Sequence, residues 1–374
     1  MKILVLTQEL GTNIGGILQN WALQTVLKDL GQNPVTLRKR PIPWLRQTKY
    51  LITEYALYYL KHILRHPTRN IEIRSNKLKM RFSELDRFVK KHIVTTPPIY
   101  KIDSEFLVKK RYDMCIVGSD QVWRPKYNIN TLEEMFCTFL PDSSGIKCSA
   151  YAASFGVDNW EMNEQESAMA KNAIKKFSTV SVREESGVDL CRRYLDTKAV
   201  HVLDPTFLIE KERYKTLIRA EDYAILPQKP YAAIYTLDAA PGQRDIIEEF
   251  CHKKGLIPFH LSAFDIDSSG KPNVERWIAG LMNAAFIITD SFHGTAFALN
   301  FEVPFISIYN AYRGTARFKS LANQFDCHER FIDNARLSSL LTGTTANNLD
   351  WDNIRQNKRS MKEFSMSVIK SILS

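Results

Sequence analysis

Short apolar runs alternate with helix-length amphipathic segments along almost the whole chain of 374 residues, which is the pattern of successive parallel βα units. The spacing predicts strands over residues 2–7, 34–37, 112–117, 147–153, 178–182 and 199–203. After a mixed stretch at 209–229, read as the crossing between two domains, strands are predicted again over 231–236, 256–261, 285–289 and 304–308. Helical periodicity falls between them, at 16–30, 161–176, 185–195, 242–254, 273–283 and 294–300. Beyond Arg330 the strand signal stops, and a polar loop at 342–348 precedes a last helix at 352–372. The expectation is an α/β protein of two Rossmann-type domains, with mainly parallel sheets facing an interdomain cleft. The first domain takes residues 1–208, with a basic aromatic helical insertion at about 40–90, and the second takes 225–345. The helix at 350–374 is expected to cross back to the first domain.

Length agrees with two domains at about 150 residues each. Hydrophobic content of 44% and charged content of 25% exclude a disordered, collagen-like or disulfide-stapled chain. Cys115, Cys137, Cys148, Cys191, Cys251 and Cys327 lie far apart with no CxxC pair, so neither a zinc half-site nor a redox couple is expected. Scattered thiols fit a reducing cytoplasm. The opening MKILVLTQEL is too short and too acidic for a signal peptide. No stretch reaches the roughly 18 apolar residues of a membrane span. A cytoplasmic protein is expected, soluble or peripheral at the inner face of the membrane.

Charge changes the picture in one place. The net charge is +10, and residues 36–82 hold twelve Lys and Arg against Glu54 and Glu72, so the rest of the chain balances to zero. Trp44, Tyr50, Tyr55, Tyr58 and Tyr59 are interleaved with these cations over a helix-length segment. That composition suits an anionic membrane surface, or equally a helix packed on its own domain with a solvated basic face. Nucleic acid ranks lower, because no nucleic-acid-binding motif accompanies the patch.

The unusual short motifs directly follow predicted strands. After the first strand comes Gly11-Thr12-Asn13-Ile14-Gly15-Gly16, after 112–117 Gly118-Ser119-Asp120-Gln121-Val122-Trp123, and after 147–153 Ser154-Phe155-Gly156. Strand 178–182 runs into Arg183-Glu184-Glu185-Ser186, and strand 285–289 into Asp290-Ser291-Phe292-His293-Gly294-Thr295. Ligands of open α/β sheets bind outside the carboxyl ends of the strands, so two such sheets would bring these loops to one cleft.

Each motif also has a plain reading. Asn13-Ile14-Gly15-Gly16 lacks the spacing of the nucleotide fingerprints and can be only a turn, and Asp120 can be a helix cap. Arg183 ends an apolar strand, where a guanidinium is costly unless paired; it pairs with Glu184 or Glu185, or its planar fork binds an anionic ligand. The amides of Gly294 and Thr295, at a helix start, would favour an anion, with His293 beside them as acid, base or oxyanion donor. His62, His66, His92, His201, His252, His260 and His328 have no comparable context, and no spacing of His, Cys and carboxylates supports a metal site. Gly314-Thr315-Ala316-Arg317-Phe318 can lend Arg317 to the cleft or leave it solvated at the surface.

The set Gly118 to Trp123, Ala153-Ser154-Phe155-Gly156, Ser181 to Ser186, Leu203-Asp204-Pro205 and Ser291-Phe292-His293-Gly294 resembles the polysaccharide pyruvyltransferase family, in particular its members from bacterial capsule and exopolysaccharide clusters. The resemblance runs in the family's order over roughly residues 5–325. Many members carry a glycine-rich run where this chain has Gly118-Ser119-Asp120-Gln121. It implies a GT-B-like fold and transfer of pyruvate from phosphoenolpyruvate, a co-substrate and not a bound cofactor, to two sugar hydroxyls as a cyclic ketal. The acceptor it suggests is a polyprenyl-diphosphate-linked, galactose-type sugar.

On that chemistry His293, Asp120 and Arg183 are the expected catalytic residues, with His293 as acid toward phosphate or methylene and Asp120 as base toward the sugar; which of the two is acid and which base stays open. Asn13, Gly15, Gly16, Ser119, Gln121, Ser154, Phe155, Ser291, Gly294, Thr295 and Arg317 are the expected substrate contacts, Asn13 and Gln121 orienting the acceptor. Two alternatives remain: a GT-B glycosyltransferase using a nucleotide sugar, since one fold serves many reactions, and a non-enzymatic membrane or polyanion adaptor.

Overall fold

A computed structural model describes residues 1–39, 82–238, 240–261, 272–310, 312–342 and 349–374. The first six strands are β1 (Lys2–Leu6), β2 (Asn33–Thr36), β3 (Met114–Val117), β4 (Lys147–Ala153), β5 (Phe177–Val182) and β6 (Val200–His201). They form one sheet in the order β2-β1-β3-β4-β5-β6. The next five are β7 (Tyr231–Tyr235), β8 (Ile257–His260), β9 (Phe286–Thr289), β10 (Phe305–Ile308) and β11 (Phe331–Ile332), in the order β11-β10-β9-β7-β8. Among the described residues every strand pairing is parallel. Parallel strands are covered on both faces, so they appear in sequence as continuous apolar runs such as Met114-Cys115-Ile116-Val117, all buried. Pro34 and Pro258 fall in the edge strands β2 and β8, where a missing ladder donor is tolerated.

The longer helices are α1 (Ile14–Asp29), α2 (Ser83–His92), α3 (Glu164–Ala173), α4 (Glu185–Tyr194), α5 (Gln243–Lys253), α6 (Val274–Met282), α7 (Phe292–Phe301), α8 (Ala316–Phe325) and α9 (Trp351–Leu373). Three boundaries differ from the sequence reading for local reasons. The helix expected from 161 begins at Glu164, because Asn163 and Glu166 form a reciprocal capping box. The helix expected from 294 begins at Phe292, because Ser291 is its N-cap. The strand signal does not end at Arg330: Phe331–Ile332 adds a short edge strand to β10, too brief to show a period of its own. The mixed stretch at 209–229 holds two short helices, Lys211–Lys215 and Ala220–Ala224.

In both sheets the strand order reverses next to the first strand of that sheet, between β1 and β3 and between β7 and β9. Crevices open at such switch points, and the loops after β1, β3 and β9 carry three of the motifs. The two sheets share one apolar cluster that includes Ile3, Trp21, Phe207, Tyr214, Ile287 and Phe297. The Tyr214 ring joins them, 5.1 Å from Trp21 and 5.0 Å from Phe297 between centroids; buried aromatics of this kind contribute about 2–3 kcal/mol each. Helix α9 touches both halves: Ser365 Oγ accepts from the Leu203 amide at 3.0 Å, and Arg355 pairs with Glu302 at 2.9 Å.

Of the twelve cations in 36–82, Arg38 pairs with Asp86 at 2.6 Å and Lys39 pairs with Glu134. The other ten, and the aromatic helix expected among them, lie outside the described residues. Among the described residues no helix is long and apolar enough to cross a membrane, and all six cysteines are buried free thiols.

Candidate active site

Arg183 follows β5 directly and is buried, with its amide tied to the Ala153 carbonyl at 3.0 Å. Its partner is neither Glu184 nor Glu185. Nη1 donates to Asp204 Oδ2 at 2.7 Å and Nη2 to Asp120 Oδ1 at 3.4 Å. Burial opposes the charge on Arg183, but Asp204, Asp120 and Glu184 outweigh it and raise its pKa. Asp204 is fixed in turn: Oδ1 accepts from the amide and hydroxyl of Thr206 at 3.0 and 2.8 Å, and Oδ2 from Ser119 Oγ at 3.0 Å. Burial works against its ionisation too, and Arg183 and His293 overcome that and lower its pKa. Asp204 is a site residue that the sequence reading quoted but gave no role. The visible signal was an Asp-Pro-Thr turn just past a strand, where the Asp side chain caps its own turn.

Glu184 turns into the first lobe instead. Its Oε1 accepts from Ser154 Oγ at 3.0 Å and from the amides of Phe155 and Gly156 at 2.6 and 2.9 Å. The hydroxyl of Ser154 and the amide of Phe155 are thereby occupied within the fold, and the Phe155 ring packs between Trp123 and Trp160 at 5.4 and 5.7 Å. Ser119 is equally internal, its amide donating to Gln19 Oε1 at 3.1 Å and its carbonyl accepting from Thr7 at 2.9 Å.

Asp120 has a left-handed backbone (φ 76°) and no helix to cap; its Oδ1 takes the Gln121 amide at 2.9 Å as well as Arg183. Gln121 holds Arg124 through Oε1 at 3.2 Å. Asn13 is exposed, at the N-cap of α1, and its side chain makes no capping bond.

The start of α1 lies against both candidate acid–base groups. A Cβ at Gly16 would stand 3.2 Å from Asp120 Oδ2, and one at Gly15 would come within 2.1 Å of His293 Nδ1. His293 belongs to α7, on the other sheet's side, so the two glycines are where the lobes meet. His293 is buried, its Nε2 has no hydrogen-bond partner, and Asp204 Oδ2 lies 3.9 Å away. Burial drives its pKa down to about 4, with the Asp204 charge acting the other way.

The amides of Gly294 and Thr295 do not open toward the cleft as expected. Because α7 starts two residues earlier, Gly294 N donates to Ser291 Oγ at 3.4 Å and Thr295 N to the Ser291 carbonyl at 3.0 Å. Gly294 serves close packing, since a Cβ there would meet Thr289 Oγ1 at 2.2 Å. The Thr295 hydroxyl bonds Ser307 at 2.7 Å. The amides that helix geometry leaves without an intrahelical partner are those of Phe292 and His293.

Arg317, in the first turn of α8, is not solvated: it is 4% exposed. Nη2 donates to the Arg313 carbonyl at 3.1 Å, and Nε has no partner. No carboxylate pairs with it among the described residues. Burial, with Arg183 adding to the effect, lowers its pKa to about 10. Both cations approach the Phe292 ring, the Arg183 guanidinium at 4.3 Å and that of Arg317 at 5.4 Å from its centroid. Three residues packed around this ring carry buried polar atoms without partners, Arg183 Nε, His293 Nε2 and Arg317 Nε; Tyr127 Oη, beside Arg124, is a fourth such atom. Burying one such atom costs about 1–3 kcal/mol, so a cluster of them marks a place that a polar ligand completes. Among the described residues no group of His, Cys, Asp and Glu is arranged to hold a metal ion.

Comparisons with known proteins agree with the architecture. UDP-GlcNAc 2-epimerase from Methanocaldococcus jannaschii, solved with UDP-GlcNAc and UDP, superposes with a TM-score of 0.54 at 12% identity, over 98% of this chain and 99% of that one. The corresponding enzyme from Neisseria meningitidis gives 0.53 at 9% identity, over 100% and 99%, and that from Rickettsia bellii 0.51 at 12%, over 100% and 96%. At such identities the likeness concerns the fold alone, which is GT-B. No curated protein sequence matches the chain. The sequence model described as Polysaccharide pyruvyl transferase covers residues 13–312, a span that holds Asn13, Asp120, Arg183, Asp204 and His293, and the chain belongs to that family.

Proposed function

We propose that the protein transfers the pyruvyl group of phosphoenolpyruvate to two hydroxyls of an acceptor sugar, closing a cyclic ketal in the synthesis of a capsular or other surface polysaccharide. The observation that carries this reading is Arg317: a buried guanidinium that no carboxylate pairs with among the described residues, near the unpartnered Nε of Arg183 and Nε2 of His293, favours an anion. Phosphoenolpyruvate carries two anionic groups, carboxylate and phosphate, on one carbon atom. Two guanidiniums on one aromatic ring suit a ligand that short.

The proton inventory of the reaction also fits. The methylene carbon gains a proton, the first sugar hydroxyl adds to the resulting oxocarbenium-like centre and loses its proton, phosphate leaves as the C–O bond breaks, and the second hydroxyl closes the ring. The two hydroxyl protons are balanced by one on the new methyl group and one on phosphate. His293 is neutral in the free protein; a bound phosphate next to Nε2 raises its proton affinity, which makes it the general acid at the leaving group. Asp120 has one oxygen taken by Arg183 and Gln121. Its other oxygen lies against Gly16 at the start of α1, which suits a base toward the acceptor.

Isothermal calorimetry with phosphoenolpyruvate tests the donor, with Arg317→Gln as control. Saturable binding by the wild type that disappears in the variant supports the reading. Binding of a nucleotide sugar in its place would move the assignment to a glycosyltransferase. We further propose that the acceptor is carried on a polyprenyl diphosphate at the inner face of the cytoplasmic membrane and that the basic segment docks there. Failure of the protein to float with anionic liposomes would remove that part alone.

A further inference from the structure

We propose that His201 is a positioning residue that ties the two lobes together behind the site through a bare ring nitrogen, Nε2, and that protonation of this nitrogen releases α8. The effect on the site rests on phosphoenolpyruvate being the donor; the seam itself does not. His201 ends β6 in the first sheet, and Ser320 and Gln324 lie one turn apart on α8, which follows β10 of the second. Nε2 stands 3.0 Å from Ser320 Oγ, 2.8 Å from Gln324 Nε2 and 3.1 Å from the Arg183 carbonyl oxygen.

These partners decide which ring nitrogen carries the hydrogen. Ser320 Oγ already accepts from the Glu185 amide at 3.2 Å, so its own hydrogen is free for the imidazole. Gln324 meets the ring with its amide nitrogen, which has only hydrogens to offer. Two donors on one ring nitrogen require a lone pair there, so the neutral ring holds its hydrogen on Nδ1. The Arg183 carbonyl has no hydrogen to give, and it becomes a partner only when Nε2 is protonated. Protonation therefore exchanges two bonds that cross between the lobes for one within the first lobe. A further cross-lobe bond, from Asn323 Nδ2 to Glu185 Oε2 at 3.1 Å, does not involve the ring.

Arg183, whose carbonyl faces Nε2, and Arg317, one turn before Ser320 on α8, are the two cations that approach Phe292. His201 thus stands behind both and fixes α8 against the end of β5. A displacement of about 1 Å between groups that grip one short ligand costs on the order of a hundredfold. The charges acting on the ring are those of Glu184 and Glu185, which favour its protonation; burial opposes them and prevails. From α8 it meets only the uncharged Ser320 and Gln324. The neutral, lobe-joining form is therefore the one present near neutral pH, and it is lost as pH falls below the ordinary histidine range.

Long-range proton–nitrogen NMR of the histidine rings, with His201→Gln to assign the signal, reads the tautomer without any ligand. Near neutral pH the hydrogen is expected on Nδ1; a hydrogen on Nε2 overturns the proposal. In His201→Gln a carboxamide oxygen takes the place of Nε2 as acceptor and never titrates, whereas His201→Phe offers the two donors nothing. Calorimetry with phosphoenolpyruvate near neutral pH should give His201→Gln a Kd within about twofold of wild type and His201→Phe one about tenfold higher, from the loss of one to two hydrogen bonds. As pH falls toward about 5 the wild type should weaken toward His201→Phe while His201→Gln does not. His293 titrates in all three proteins and cancels in the comparison. Parallel pH profiles of wild type and His201→Gln overturn the proposal, whatever the stability of His201→Phe. Absence of phosphoenolpyruvate binding by the wild type overturns the donor reading instead, and the tautomer then decides the seam.

Discussion

The imidazole of His293 lies on the backbone of Gly15, so close that a Cβ there would stand 2.1 Å from Nδ1. One residue starts a helix after β1 and the other starts a helix after β9. Their contact explains why glycine follows Ile14 in the first turn of α1: one lobe presents bare backbone to the other's histidine.

Gly15→Ala is accordingly expected to separate the lobes while leaving α1 intact, since Ala is the better helix former. Displacement of about 1 Å at a reacting group lowers turnover on the order of a hundredfold. Steady-state kinetics with a circular-dichroism melt would check this; near wild-type kcat/KM would show that the contact does not position His293.

Arg317 and Arg183 should behave oppositely on neutralisation. Arg317→Gln relieves a buried charge that no carboxylate pairs with among the described residues and is expected to raise Tm while abolishing donor binding. Arg183→Gln leaves Asp204 and Asp120 buried without their cation, a loss of about 3–5 kcal/mol. Urea titration of both variants gives the comparison, and equal destabilisation would contradict the charge assignment.

Acid sensitivity follows from His293. Its pKa is about 4 in the folded protein against about 6.5 in an unfolded chain, so between those values the unfolded state binds more protons. Stability is complete above pH 6.5 and falls as pH drops toward 4, by on the order of 3 kcal/mol from this residue. His201, between Arg183 and α8, has its pKa lowered by burial and adds in the same direction. Denaturant midpoints measured from pH 7.5 to 4.5 should show a shallower fall in His293→Gln; an unchanged slope would place the loss elsewhere.

Donor binding should take up protons near neutral pH, because the phosphate charge raises the affinity of His293 for its proton. Calorimetry in buffers of different ionisation enthalpy measures this directly. An observed enthalpy independent of buffer would argue against phosphate beside Nε2.

Asp204→Asn is expected to weaken the hold on Arg183 and remove the negative charge nearest His293 Nε2. Turnover should fall by on the order of a hundredfold or more, as when the residue orienting a catalytic histidine is neutralised. The same variant should lower the pKa of His293 further, visible by NMR titration of the ring. A titration unmoved by the change would leave Asp204 a purely structural partner of Arg183.

The strands were legible because parallel, doubly covered strands must be apolar without interruption, and the motifs stood out because polar residues directly after such runs need a reason. The family resemblance followed from the same residues. Partnerships were less legible. For Arg183 the sequence offers the neighbouring acids or an anionic ligand, but the carboxylates that hold it come from 63 and 21 positions away. Glu184 instead caps the loop after β4. Gly294 and Thr295 are anion donors only for a helix that begins at 294; the Ser291 cap starts it two residues earlier and turns those amides inside.

The sequence by itself determined that this is a parallel α/β chain of two sheets with its chemistry in the loops after the strands, because strand burial and loop position leave a local, periodic trace. Only the tertiary structure decided which of those polar residues are satisfied within the fold and which are left for a ligand. Whether Arg183 is neutralised, Arg317 is not, and Tyr127 Oη is unpartnered depends on desolvation and Coulomb energies. Those vary with distance and burial in three dimensions and leave no period in the sequence.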